Sequence, residues 1–149
     1  MTPDELKELE VECTDLSGDA ILLTNGLDET ASVKLKTSLR AKNFRVETLD
    51  GEDIRNKAEL LEALDNACGF PGFYGKNWDA LNDCLSNPAS WDRPVSEAEA
   101  GIILLYHDAT TLKQSDREAF VTFTEIVISV QKGWRTEGRN FRFCVLLGA

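Results

Sequence analysis

Hydrophobic and polar positions along this chain follow two rhythms, one of about 3.6 residues and one of two, and the rhythms take turns. Residues 20–24, AILLT, form a short apolar run closed by Asn25-Gly26 and predict a strand. Asp28 stands where a helix cap belongs, ahead of Ala31, Leu35 and Leu39 on one stripe. Residues 44–49, FRVETL, alternate as a half-buried strand does, and Asp50-Gly51 then turns the chain. Leu60, Leu61, Leu64 and Ala67 recur at helical spacing within residues 57–68, with Gly69 as the stop and Pro71 beyond it. A further helix is expected from Trp78. Residues 87–100 hold two prolines among mostly polar side chains and read as a loop interrupted by Trp91. The run GIILLY at 101–106 is continuously apolar, as in a strand covered on both faces. Ser115-Asp116-Arg117-Glu118 has the form of a capping box, starting a helix that buries Phe120, Phe123, Val127 and Val130. Glu137-Gly138 ends that region, and FRFCVLL at 141–147 is the last strand. The order β, α, β, α, α, β, α, β predicts an α/β protein, a small, mainly parallel sheet layered with helices.

Composition narrows the class. The 149 residues fit one domain, and 42% hydrophobic with 28% charged residues is the balance of a chain that folds throughout. The charged residues are unequal: 16 basic against 26 acidic give a net charge of -10 with His neutral. Phosphates would be repelled, so nucleic acid is not an expected partner; the acidity serves either a basic partner or solubility alone. Cys13, Cys68, Cys84 and Cys144 are widely spaced, form no C-x-x-C pair, and read as reduced thiols. His107, the single histidine, has no ligand-spaced neighbour and reads as structural, so neither metal nor cofactor is expected. No apolar run approaches a membrane span, and residues 1–10 are acidic where a signal peptide is basic. A cytoplasmic protein is expected.

The chemistry concentrates in residues 73–85, FYGKNWDALNDCL. Asn77 is suited to cap a helix beginning at Trp78. At about 100° per residue, Trp78, Ala80, Leu81, Cys84 and Leu85 fall on one side, and Asp79, Asn82, Asp83 and Ser86 on the other. The carboxylates of Asp79 and Asp83 then stand side by side, one turn apart, opposing the helix by about 0.2–0.5 kcal/mol. Phe73 and Tyr74 precede the helix beside Gly75, where the chain can bend. Either the acids are merely solvated, or acids and aromatics share a patch suited to a positively charged cleft.

This segment resembles the signature helix of the barstar family, whose motif has the form Y-G-x-N-x-D-A-L-x-D-C-L. The matching positions are Tyr74, Gly75, Asn77, Asp79, Ala80, Leu81, Asp83, Cys84 and Leu85. LDGEDI at 49–54 is similar to the family's first strand and turn, residues 63–71 to its next helix and connection, and Trp91 to an aromatic on its second binding loop. The resemblance implies a barstar-like domain at 43–149, preceded by an extra β-α unit at 1–42 that packs on the core. It further implies a bacterial ribonuclease inhibitor or immunity protein of the toxin-antitoxin type, without catalytic residues. Its partner would be a small basic ribonuclease, extracellular or toxin-like, with Asp83 at the phosphate site and Asp79 near the cleft's arginine or guanine-reading region. Phe73, Tyr74, Gly75, Asn77, Trp78, Asn82 and Trp91 would complete the contact surface. Asn82 stands where a tryptophan is expected, Phe73 where a tyrosine is, and no carboxylate lies near Gly133; these departures bear on which ribonuclease is recognised.

Two other readings remain open at this point. One keeps the binding role but makes the partner a different basic toxin or a regulatory target. The other makes Asp79 and Asp83 an acid/base pair of a hydrolase, though acids adjacent on one helix face lack the separation across a cleft that such chemistry uses.

Overall fold

The computed structural model describes residues 1–136, 138 and 141–148. Four strands, β1 (Ile21–Thr24), β2 (Phe44–Asp50), β3 (Gly101–His107) and β4 (Arg142–Gly148), form one sheet in the order β1-β4-β3-β2. Every pairing is parallel, with Ile21 beside Val145, Gly101 beside Arg142 and Phe44 beside Gly101. The two central strands are the continuously apolar ones, and both are buried along nearly their whole length. β2, which alternates, lies at an edge.

Helices cover both faces. α3 (Lys57–Cys68), α4 (Trp78–Ser86) and α6 (Arg117–Thr136) lie on one, where Leu60, Leu64, Leu81, Leu85, Phe123 and Val127 meet the sheet's Ile102, Leu104, Phe143 and Val145. On the other face α1 (Pro3–Thr14) and α2 (Glu29–Ala41) bring Leu9, Cys13, Leu35 and Leu39 against Val46, Ile103, Leu105 and Leu146. The expected N-terminal β-α unit is thus present as β1 and α2, with β1 adding an outer strand beside β4. It is accompanied by α1, a helix that the hydrophobic pattern does not announce. α1 is started by Thr2, whose hydroxyl accepts from the Glu5 N–H while the Glu5 carboxylate accepts from the Thr2 N–H.

Other helix ends follow their sequences. Asp28 accepts from the Ala31 N–H, and Gly69 ends α3 with a left-handed φ of 75° that a residue with a Cβ would resist. The start of α6 needs a correction. A short helix α5 (Thr110–Ser115) ends at Ser115, whose hydroxyl donates to the Arg55 and Thr111 carbonyls; Asp116 is the cap, accepting from the Ala119 N–H at 3.2 Å. Glu137, expected near the helix end, lies outside the described residues. The loop at 87–100 contains a 3-10 turn, Pro88–Ser90, and the half-buried His107 ring lies 3.2 Å from the Ser32 hydroxyl.

Arg142 ties the layers together. It is fully buried, yet among the described residues its guanidinium pairs with no carboxylate; it donates to the carbonyls of Glu12 and Cys13 at the end of α1 and of Gly18 and Asp19 in the turn before β1. The Gln131 side chain accepts a further bond from it and one from the Phe143 N–H. A buried charge is tolerable when its donors are all directed at acceptors, and the carbonyl end of a helix suits a cation.

Candidate functional site: the exposed face of α4

The segment entering α4 is held from below. Phe70 packs edge-on against Tyr74 at 4.8 Å and against Trp91 at 5.0 Å. The Trp91 indole N–H donates to the Cys84 carbonyl at 2.6 Å, satisfying one of the acceptors that a helix end leaves open. Arg45 lies over the Trp91 ring at 5.4 Å and donates to the carbonyls of Cys68 and Arg93. This buttress supports the C-terminal end of α4 and the segment that leads into it.

Asn77 caps α4, its side-chain oxygen accepting from the Ala80 N–H at 2.8 Å. Gly75 leaves room for that cap, since a Cβ there would sit 3.1 Å from the Asn77 amide nitrogen. Lys76 between them takes a left-handed φ of 51°, and its ammonium pairs with Glu62 at 2.6 Å. Leu81, Cys84 and Leu85 face the core. Burial, reinforced by the Asp83 charge, pushes the Cys84 thiol up to about 11.

Asp79 and Asp83 are exposed on the opposite face, with Asn82 half-buried between them and Phe73, 82% exposed, at the approach to the helix. Among the described residues neither carboxylate has a hydrogen-bond or ion-pair partner, whereas nearby Glu62 and Glu59 are engaged with Lys76 and Arg55. Phe73, Gly75, Asn77, Asp79 and Asp83 are thus all exposed, and Asn82 partly so.

Of the other expected members of the contact surface, two are buried and one, like Asn82, is half-buried. Tyr74 is buried, its hydroxyl directed at the Leu61 carbonyl, and that burial raises its phenol well above the ordinary range. Trp91, expected on a binding loop, is 3% exposed and forms part of the buttress. Trp78 is half-buried, with the Lys57 ammonium 5.2 Å from its ring centre. The reason is common to all three: an aromatic near a helix end gains more from closing the core than from standing in water. Sequence reading missed Arg45 and Arg93, which support the site through main-chain carbonyls; Arg45 looked like the outward position of an alternating strand.

Away from α4, Asp50, Glu52 and Asp108 place carboxylate oxygens within 4.8 Å of one another. All three are exposed, and the Asp50 oxygen already accepts from the Glu52 N–H. Among the described residues, no helix is long and apolar enough to cross a membrane.

The fold is thus a parallel α/β sandwich, and the outer face of its short helix α4 carries two acids that are unpaired among the described residues. Over residues 44–146 the chain matches the family described as Barstar (barnase inhibitor), and it belongs to that family. It is also similar to the "Putative ribonuclease inhibitor YrdF" of Bacillus subtilis (strain 168), with 45% identity over 38 residues. That stretch is 26% of this chain and 42% of the relative, so the chain matches less than half of that protein's length.

Proposed function

We propose that this protein inhibits a small basic ribonuclease by seating the exposed face of α4 in the enzyme's RNA cleft. The observation that carries the reading is the pair Asp79 and Asp83, one turn apart, exposed and without a neutralising partner among the described residues. A carboxylate accepts paired hydrogen bonds from arginine as a phosphate does, yet offers no ester to cleave. In this reading Asp83 occupies the phosphate site and Asp79 meets the arginine or guanine-reading region. Asn82 lies between them, and Phe73, Gly75 and Asn77 form the rim. Membership of a barnase-inhibitor family and similarity to a protein described as a ribonuclease inhibitor support the class of partner. The protein acts in the cytoplasm against a toxin or extracellular-type enzyme and makes no bonds itself. Its two acids lie on one open helix face, not across a cleft.

The test is capture from the source organism with the full chain and with an Asp79→Ala/Asp83→Ala variant, read by mass spectrometry and by RNA cleavage with the captured enzyme. The expected result is a basic ribonuclease retained by the native chain, inhibited by it, and lost with the double variant. Retention of a basic protein without nuclease activity would transfer the same surface to a different toxin. Capture indifferent to the two substitutions would overturn the reading.

A further inference from the structure

A second surface lies at the outer edge of the sheet, in the part of the chain that precedes the family match. Among the described residues β1 pairs only with β4. The Ala20 carbonyl accepts from the Val145 N–H at 2.8 Å, so alternation along the strand turns the main-chain groups of Leu22 and Thr24 towards β4 and those of Ile21 and Leu23 outwards. Among the described residues no backbone group bonds to that outer row. Edge strands are commonly protected by a lysine, a proline or a bulge; AILLT has none of these, and Leu23 is 79% exposed.

The C-terminal end of this edge, Leu23 and Thr24, opens into a groove of about 530 Å³ that continues over Leu147 and Gly148 at the end of β4. Phe120, with Lys113 beside it, forms one wall; α1 forms the other with Leu9 and the carboxylates of Glu5, Glu8 and Glu12. Glu5 is occupied in part by its capping bond, whereas Glu8 and Glu12 have no ion pair among the described residues. We infer that this groove binds an extended segment of another protein, which adds a strand to β1 and presents basic side chains to α1. Pairing with the outward groups of two residues limits the main-chain bonds to four, so charge and the apolar floor must supply selectivity. A second copy of this chain is disfavoured as the occupant. Joining two β1 edges about a twofold axis would bring two acidic α1 rows together on the same face of the sheet, in a protein already carrying a net charge of -10.

The experiment uses the full chain labelled with ¹⁵N and the peptide acetyl-Lys-Val-Lys-Val-Lys-Val-amide as probe. Saturable shifts of the Ile21 and Leu23 amides are expected, with slowed hydrogen exchange at both. A Glu-for-Lys peptide should bind at least about tenfold more weakly, and a Glu8→Lys/Glu12→Lys variant should reverse that preference. Since a basic peptide could also be drawn to α4, the titration is repeated on the Asp79→Ala/Asp83→Ala variant, where the β1 shifts should persist. This outcome is independent of whether a ribonuclease is the partner at α4. Shifts that vanish in that variant, equal binding of the acidic peptide, or unmoved Ile21 and Leu23 amides up to about 1 mM peptide would overturn the inference. So would sedimentation showing that the chain alone pairs through the same amides.

Discussion

Removing residues 1–42 should abolish folding rather than trim an appendage. The truncation takes away α1, β1 and α2, and with them every helical partner of one sheet face. Phe44, Val46, Ile103, Leu105 and Leu146, each between 0 and 7% exposed in the full chain, would be opened to water. At about 1.5–3 kcal/mol for each large apolar side chain, these five contribute about 8–15 kcal/mol. That equals the whole stability of a typical domain, about 5–15 kcal/mol. The Arg142 guanidinium would lose its carbonyl acceptors at the same time. A single substitution gives the graded version: Leu35→Ala, at a site 1% exposed, should cost about 2–5 kcal/mol. The assay is urea unfolding followed by near-UV and far-UV circular dichroism, with sedimentation to detect aggregation. A monomeric chain starting at Asn43, unfolding cooperatively within about 2 kcal/mol of the full protein, would refute the claim that the N-terminal elements are a layer of the same core.

Asp83→Ala should slow association with the proposed ribonuclease partner little but raise its dissociation rate steeply, by an amount equivalent to about 2–5 kcal/mol. Stopped-flow association should fall with salt, and a salt-indifferent rate would contradict steering by the net charge of -10. Alkaline pH provides a separate check, because burial pushes the Cys68 thiol from 9.0 up to about 12. A folded-state value raised in this way leaves stability intact below pH 9 and removes it as pH rises towards 12, by up to about 4 kcal/mol at about 1.36 kcal/mol per unit. Cys68→Ala should be less stable at pH 7 but decline less steeply above pH 9, and equal slopes measured by urea unfolding would contradict the assignment.

The two central strands, α2, α3 and the helix from Trp78 were legible because burial on both faces or on one stripe leaves an unmistakable apolar pattern. α1 was not, although Thr2 and Glu5 spell its cap. Its apolar stripe is narrow, Leu6, Leu9 and Cys13, within a run dominated by acids that also suits a solvated segment. Ser115 and Asp116 are both competent caps, and the choice fell to Asp116 because α5 reaches Ser115 from the other side. At α4, periodicity sorted the carboxylates outward correctly. It could not tell which aromatics would be drawn under the helix, since Phe73 and Tyr74 are adjacent in sequence but 82% and 8% exposed. Arg142 was the hardest to read. A charged residue at the start of an apolar strand gives no sign that its acceptors lie more than 120 residues earlier.

That separation has a consequence for the order of events during synthesis. β1 finds its strand partner in β4, with Ile21 aligned to Val145, a distance of 124 residues along the chain. At about 5–20 residues per second the first strand leaves the ribosome about 6–25 s before the last one exists. Throughout that interval Leu22 and Leu23 have no ladder to join, and the carbonyls of Glu12, Cys13, Gly18 and Asp19 await a guanidinium not yet made. The sheet closes by insertion of β4, the latest of its four strands along the chain, between β1 and β3, so its centre is completed last. Such long-range closure favours slow folding, and it makes the nascent N-terminal segment the part of the molecule most dependent on its own solubility.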